Sequence, residues 1–145
     1  MKKTVKPWPD DIDDWPQYLN KADNNAVAKD ERIAPPRRVR WTAGPLWTRH
    51  HDRMASISSV VSAGGRLFYI MDEGPHHSPL LPSQWRVVAR DAFNGSLLWK
   101  HAYQRTYKIS YPAGPRVTPT VDGDRVYTLG AEGDLLCLDR FADMG

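Results

Sequence analysis

Four of the chain's five histidines occur as two adjacent pairs, His50-His51 and His76-His77, and the fifth is His101. Around the first pair stand Trp47, Arg49, Asp52 and Arg53, and beyond His101 come Tyr103, Arg105, Tyr107 and Tyr111. Imidazole, guanidinium and aromatic groups together can bind anions, aromatic rings or sugars. Asp52 next to His51 is placed to orient an imidazole for acid/base work. A zinc site is not read here, because adjacent histidines in extended chain point apart and structural zinc sites use wider ligand spacings. No Ser or Cys has the neighbours of an activated nucleophile, so no catalytic residue and no metal ligand is assigned. The residues set aside as a candidate ligand face are Arg49, His50, His51, Asp52, Arg53, His76, His77 and Tyr107. The competing reading makes them ordinary loop residues that pack their own segments down.

Two other clusters resemble sites less closely. Asp10, Asp11, Asp13 and Asp14 lack the glycine and the closing glutamate of a calcium loop, and they read as a solvated acidic turn. Arg37, Arg38 and Arg40 beside Trp41 have the look of a basic-aromatic nucleic-acid patch. The alternation Arg38-Val39-Arg40-Trp41 is accounted for by a strand with Val39 and Trp41 on one face, and nucleic acid is not expected as a partner.

What would position these groups is β-structure. A chain of 145 residues with 41% hydrophobic and 26% charged residues is long enough for one packed domain. Twelve prolines and ten glycines interrupt short apolar runs and argue against long helices. The net charge of +3 is too small a surplus to argue for a polyanion partner. The one cysteine, Cys137 in Leu-Leu-Cys-Leu, cannot form an internal disulfide and reads as a small buried hydrophobe. Neither a signal-peptide apolar core nor a run approaching the roughly 18 apolar residues of a membrane span is present.

Residues 1–36 read as an irregular lead-in whose aromatic residues Trp8, Trp15 and Tyr18 should lie across a folded body. Beyond it come turn signals between apolar runs: Gly64-Gly65, Asn94-Gly95 and Asp122-Gly123-Asp124. Asn94-Gly95 predicts a tight two-residue turn with positive φ at both centres, closing strands near 86–91 and 96–101. Strands are expected near 56–62 and 66–71 as well, and again across 118–121 and 125–129. The two stretches are a repeat. At an offset of 59, Gly64, Arg66, Leu67, Phe68, Ile70, Glu73 and Gly74 meet Gly123, Arg125, Val126, Tyr127, Leu129, Glu132 and Gly133. Further on the offset is 48, so Val87, Val88, Ala89 and Asp91 meet Leu135, Leu136, Cys137 and Asp139. The difference is an insertion of 11 residues at Pro75 to Trp85. Each unit is then a four-stranded antiparallel meander of the size of a propeller blade.

The run Ala89-Arg-Asp91-Ala-Phe-Asn-Gly95-Ser-Leu-Leu-Trp99 resembles the tryptophan-docking motif of the pyrroloquinoline-quinone-like (PQQ-like) β-propeller repeat family. The stretch from Gly123 to Asp139 is similar to the preceding strands of a second repeat. The resemblance covers about residues 37–145 and implies an all-β fold of propeller blades. It divides that stretch into an outer strand of a neighbouring blade at 37–42, a blade at 56–101 and a partial blade at 118–145. It implies structural roles for Ala89, Asp91, Gly95, Trp99, Gly123 and Asp139, with Trp99 wedged between adjacent blades. The second motif runs two residues longer between Asp139 and Gly145 and holds no Trp, so the propeller in this chain is incomplete. The chain is expected to be a fragment of a longer protein, or its ring to be completed by other chains.

The resemblance implies a binding or scaffolding module, with further blades, a protein or a small molecule as partner. The alternative it implies is part of a PQQ-dependent oxidoreductase acting on alcohols or sugars, with PQQ and calcium as cofactors. The paired adjacent cysteines of the alcohol-oxidising branch are not here, and no family site residue carries over. A periplasmic or secreted location goes with the family. In a meander the tight turns lie at one end of the strands, and the long connections 43–55, 72–85 and 102–117 at the other, where binding residues concentrate.

Overall fold

The computed structural model describes residues 7, 9–32, 34–44, 56–75, 83–102, 117–130 and 132–142. Among these there is no helix. Seven strands form two antiparallel sheets: β1 (Val61–Ala63), β2 (Arg66–Asp72), β3 (Trp85–Asp91) and β4 (Leu97–Ala102) in one, β5 (Thr120–Asp122), β6 (Arg125–Leu129) and β7 (Leu135–Asp139) in the other. Both sheets are meanders in which every strand pairs with its neighbours in sequence.

The two ladders have the same register. Arg66↔Asp91 and Phe68↔Ala89 in sheet one correspond to Arg125↔Asp139 and Tyr127↔Cys137 in sheet two, the pairs that the offsets of 59 and 48 bring together. Strand composition follows burial. In β2 and β3 the continuous runs Phe68-Tyr69-Ile70-Met71 and Val87-Val88-Ala89 are buried on both faces. Phe68, Ile70, Val87 and Ala89 join Val61, Trp85 and Trp99 in a core shared with Val121 and Val126 of sheet two, while Tyr69, Met71 and Val88 pack with Ile57 on the opposite face. Strand β6 alternates instead, with Val126 and Thr128 buried and Leu129 exposed, because only one of its faces is covered.

Several expectations need correction. The chain from Ile57 to Val61 takes four steps against the three from Met71 to Phe68, so one extra residue sits between the Ile57↔Met71 bridge and β1. At this bulge the Ser58 hydroxyl accepts the Ile70 N–H at 2.9 Å in place of a ladder carbonyl, so the strand expected over 56–62 is broken. The Asn94-Gly95 turn is not a two-residue turn. The strands separate after Asp91, the register shifts between Ala89 and Arg90, and a five-residue loop from Ala92 to Ser96 intervenes. Its organiser is the Asp91 carboxylate, which accepts the N–H groups of Phe93 and Asn94, and only Gly95 has positive φ, at 75°. At Gly64-Gly65 both residues do, at 54° and 74°, and there the turn is tight. Cys137 is exposed rather than buried, because it lies on the uncovered face of sheet two. Residues 37–42 form no strand among the described residues, and Val39 is 77% exposed.

The lead-in ties the two sheets together at one edge. Trp15 exchanges both backbone hydrogen bonds with Ser62 of β1, each 2.9 Å, and the next carbonyl, Pro16, accepts the N–H of Val121 in β5 at 2.8 Å. Proline fits here because only its carbonyl is used. The Asp14 carboxylate accepts the Gly64 N–H, and Asp13 accepts that of Lys29. The acidic cluster is therefore engaged in holding the lead-in. The Lys29 N–H bond, aided by the nearby Lys21 charge and Asn20, holds the Asp13 carboxyl below its ordinary value. A carboxyl lowered on folding stabilises the fold above its unfolded pKa, and that contribution disappears as pH falls through the lowered value. In an NMR titration the Lys29 amide should therefore stay in its folded position through the ordinary carboxylate range and shift only below it; a shift centred on the unperturbed value would contradict the bond.

Candidate functional site

Two indoles join the elements of this structure, and each does so on a turn that begins with an aspartate. Trp99 lies in β4 of sheet one, is 4% exposed, and donates its Nε1–H to the carbonyl of Arg140 at 3.0 Å, in the turn that ends β7. Its ring stands 6.0 Å from that of Phe68 and belongs to the core cluster shared with Val121 and Val126 of sheet two. Trp41 donates its Nε1–H to the carbonyl of Ala92 at 3.1 Å, in the turn that ends β3. Ala92 follows Asp91 as Arg140 follows Asp139, and Asp139 accepts the Phe141 N–H as Asp91 accepts that of Phe93. Arg40 stacks on Phe93 at 4.5 Å, and Arg140 on Phe141 at 4.6 Å. Gly95 is required twice over: its φ is positive, and a Cβ there would stand 2.5 Å from the Trp41 ring.

At the other end of sheet one the candidate ligand residues are attached. Arg49, His50, His51, Asp52, Arg53, His76, His77 and Tyr107 all lie outside the described residues. Their points of attachment do not. Ser56, Glu73, Gln84 and Ala102 are at the same end of the sheet, as the pairs Ile57↔Met71, Asp72↔Trp85 and Arg86↔Ala102 require. Gly64-Gly65 and Gly95 are at the opposite end.

This loop end has its own charged group. Glu73 Oε1 meets Lys100 Nζ at 2.6 Å, and its Oε2 lies 3.4 Å from Arg86 Nε. These side chains share the Tyr69–Val88 face by strand alternation. Being partly exposed, the ion pairs are worth at most about 1 kcal/mol each. Asp72 is buried, and its Oδ1 accepts the N–H groups of Gly74 and Gln84, both at 2.8 Å. With the 2.9 Å bond from Glu73 N–H to Gln84 carbonyl, this closes the neck of the long β2–β3 connection. Sequence reading gave no site role to Asp72, Glu73, Arg86 or Lys100. The signal was available in the strand register, which puts Arg86 and Lys100 beside the residue that follows β2. Trp85, the first residue of β3, is 3% exposed and part of the shared core.

Among the described residues there is no cluster of three or more His, Cys, Asp or Glu able to hold a metal, and the loop-end carboxylates Asp72 and Glu73 are bonded to backbone amides and cations. No helix among the described residues is long and apolar enough to cross a membrane. The described residues thus define an all-β arrangement of two antiparallel sheets with matching registers, joined by a buried indole. The chain matches no protein-family model, no curated protein and no solved structure.

Replacing the Asp72 carboxylate strands two amides in a buried position. Asp72→Ala should cost about 1–3 kcal/mol in denaturant unfolding and speed hydrogen exchange at Gly74 and Gln84 while leaving Gly64 and Gly65 unchanged. Unaltered exchange at Gly74 would show that the carboxylate does not hold the neck.

Proposed function

We propose that this chain is a β-propeller segment of PQQ-like repeat type that acts as a binding or scaffolding module. The observation that carries the reading is the recurrence of one joint: Trp41 on the turn after β3 and Trp99 on the turn after β7, each bonded to the carbonyl that follows an aspartate. A joint repeated at both sheets is what a radial array of blades requires, since each sheet must meet the next in the same way. Further blades are then one partner. The other is a protein or small-molecule ligand held at the loop end, where Glu73, Arg86, Lys100 and His101 border the attachment points of the histidine-rich segments. A stiff sheet carrying long connections at one end and tight turns at the other suits recognition.

The reading makes two separable demands. Incubation with PQQ and calcium should give neither cofactor absorbance nor dye reduction; uptake with dye reduction would replace this reading with that of a quinone-dependent oxidoreductase. In an NMR titration against a panel of sugars, carboxylates and short peptides, any binder should shift amides at Glu73, Arg86 and His101 and spare Gly64, Gly65 and Gly95. Binding confined to the turn end would overturn the assignment of the ligand face.

A further inference from the structure

We infer that Asn94-Gly95 is a site of spontaneous covalent change, at which Asn94 passes through a cyclic imide to aspartate and isoaspartate, and that the docking of Trp41 holds this site closed. Of the four asparagines, Asn20, Asn24, Asn25 and Asn94, only Asn94 precedes a glycine. The reaction is an attack by the next residue's backbone nitrogen on the side-chain amide carbon, and a residue without a Cβ hinders it least. Asn94 is exposed, so water and hydroxide reach its carboxamide.

The turn holds half of the reacting pair in place and restrains the other half. The Ser96 N–H donates to Asn94 Oδ1 at 2.8 Å. On this oxygen negative charge collects when the amide carbon is attacked, so the electrophile already has its stabilising donor. The nucleophile is tied back. The Gly95 N–H donates to the Asp91 carbonyl at 2.9 Å, and the Gly95 carbonyl accepts Arg90 Nη1–H at 2.8 Å. Gly95 is buried although its neighbours Asn94 and Ser96 are exposed, because the Trp41 ring lies against it, 2.5 Å from where a Cβ would stand. The indole is fixed in turn by its 3.1 Å bond to the Ala92 carbonyl. The Gly95 peptide therefore turns toward the Asn94 carboxamide only when the indole lifts, and the rate follows the fraction of molecules in that open state.

In the open state hydroxide takes the Gly95 N–H proton. The new bond joins Gly95 N to Asn94 Cγ, the Cγ–Nδ2 bond breaks, and ammonia leaves with a proton from water, which restores the hydroxide. Water then opens the imide at either carbonyl. Attack at one gives aspartate; attack at the other gives isoaspartate, which adds a methylene to the main chain between Asn94 N and Gly95. The Ala92–Ser96 loop is anchored by β3 and β4, so the longer chain displaces Gly95 from beneath the indole. A transient loss of the Trp41 joint is thereby made permanent.

The full 145-residue chain is incubated at mildly alkaline pH, folded and in denaturant, and loss of Asn94 is followed by peptide mass mapping. Folded protein should react at least about tenfold more slowly, the factor that one hydrogen bond of ordinary worth supplies. Trp41→Ala should recover most of that factor while the β2 and β3 amides stay protected from exchange. Trp41→Phe, which keeps a ring over Gly95 but has no N–H for the Ala92 carbonyl, should fall between. Equal rates in folded and denatured parent chain overturn the inference, whether or not the variants fold. So does an unchanged slow rate in folded Trp41→Ala, which would place the protection in the turn alone. In the separated isoaspartate product the Trp41 indole N–H should exchange freely, whereas Asn94→Asp, with the same charge and no added methylene, should keep it protected. A protected indole in the isoaspartate product would overturn the one-way step.

Discussion

The structure depends on burying one indole between two sheets without stranding its N–H. Trp99 brings an indole into the core shared with Phe68, Val126 and Val121, and its Nε1–H needs an acceptor at a place where water is excluded. The Arg140 carbonyl supplies it. That carbonyl is available because Asp139 captures the Phe141 N–H and turns the chain immediately after β7. Thus a turn in one sheet is shaped to satisfy a side chain in the other, and neither feature has a physical reason without its partner.

Other features follow from this seam. Sheet one is buried on both faces and sheet two on one, which is why the same repeat reads as continuous apolar runs in β2 and β3 and as alternation in β6. The lead-in adds a second, independent link at the opposite edge, where Trp15 and Pro16 bridge β1 to β5 through backbone hydrogen bonds, with the Ser62 hydroxyl also accepting the Trp15 N–H. Arg140 completes the turn end: it stacks on Phe141, faces Gly64 and lies 3.6 Å from Asp124. The turn end is therefore densely cross-linked, and at the loop end the described residues are tied by Asp72 and the Glu73 ion pairs.

Much of this was legible in the sequence, for reasons that particular residues make plain. The offset repeat from Gly64 to Asp139 placed β2, β3, β6 and β7 within a residue or so, because strand register is set by side-chain alternation and turn glycines. The break at Ser58 was not legible, since a serine hydroxyl standing in for a carbonyl leaves no pattern. Nor was the length of the Ala92–Ser96 loop, because Asn-Gly suggests a two-residue turn unless the capture of two amides by Asp91 is anticipated. Cys137 was misread for a related reason: Leu-Leu-Cys-Leu has the composition of an interior strand, and composition reports what a strand is suited to rather than which neighbours surround it. The histidine-rich segments, on which the ligand face was drawn, fall outside the described residues, and only the strand ends that carry them bear on it.

The central claim is that Trp99 and Trp41 are two instances of one joint. Hydrogen exchange of the indole N–H groups, resolved residue by residue by NMR, measures it directly. If the account is right, the Trp99 Nε1–H exchanges only through an opening that also exposes Val87 and Val126 amides, and the Trp41 Nε1–H is protected with it, though less strongly because its ring is half-buried. If the Trp99 indole exchanges at the rate of an open peptide while the β2 and β3 amides remain protected, the sheets are not held by this joint and the account fails.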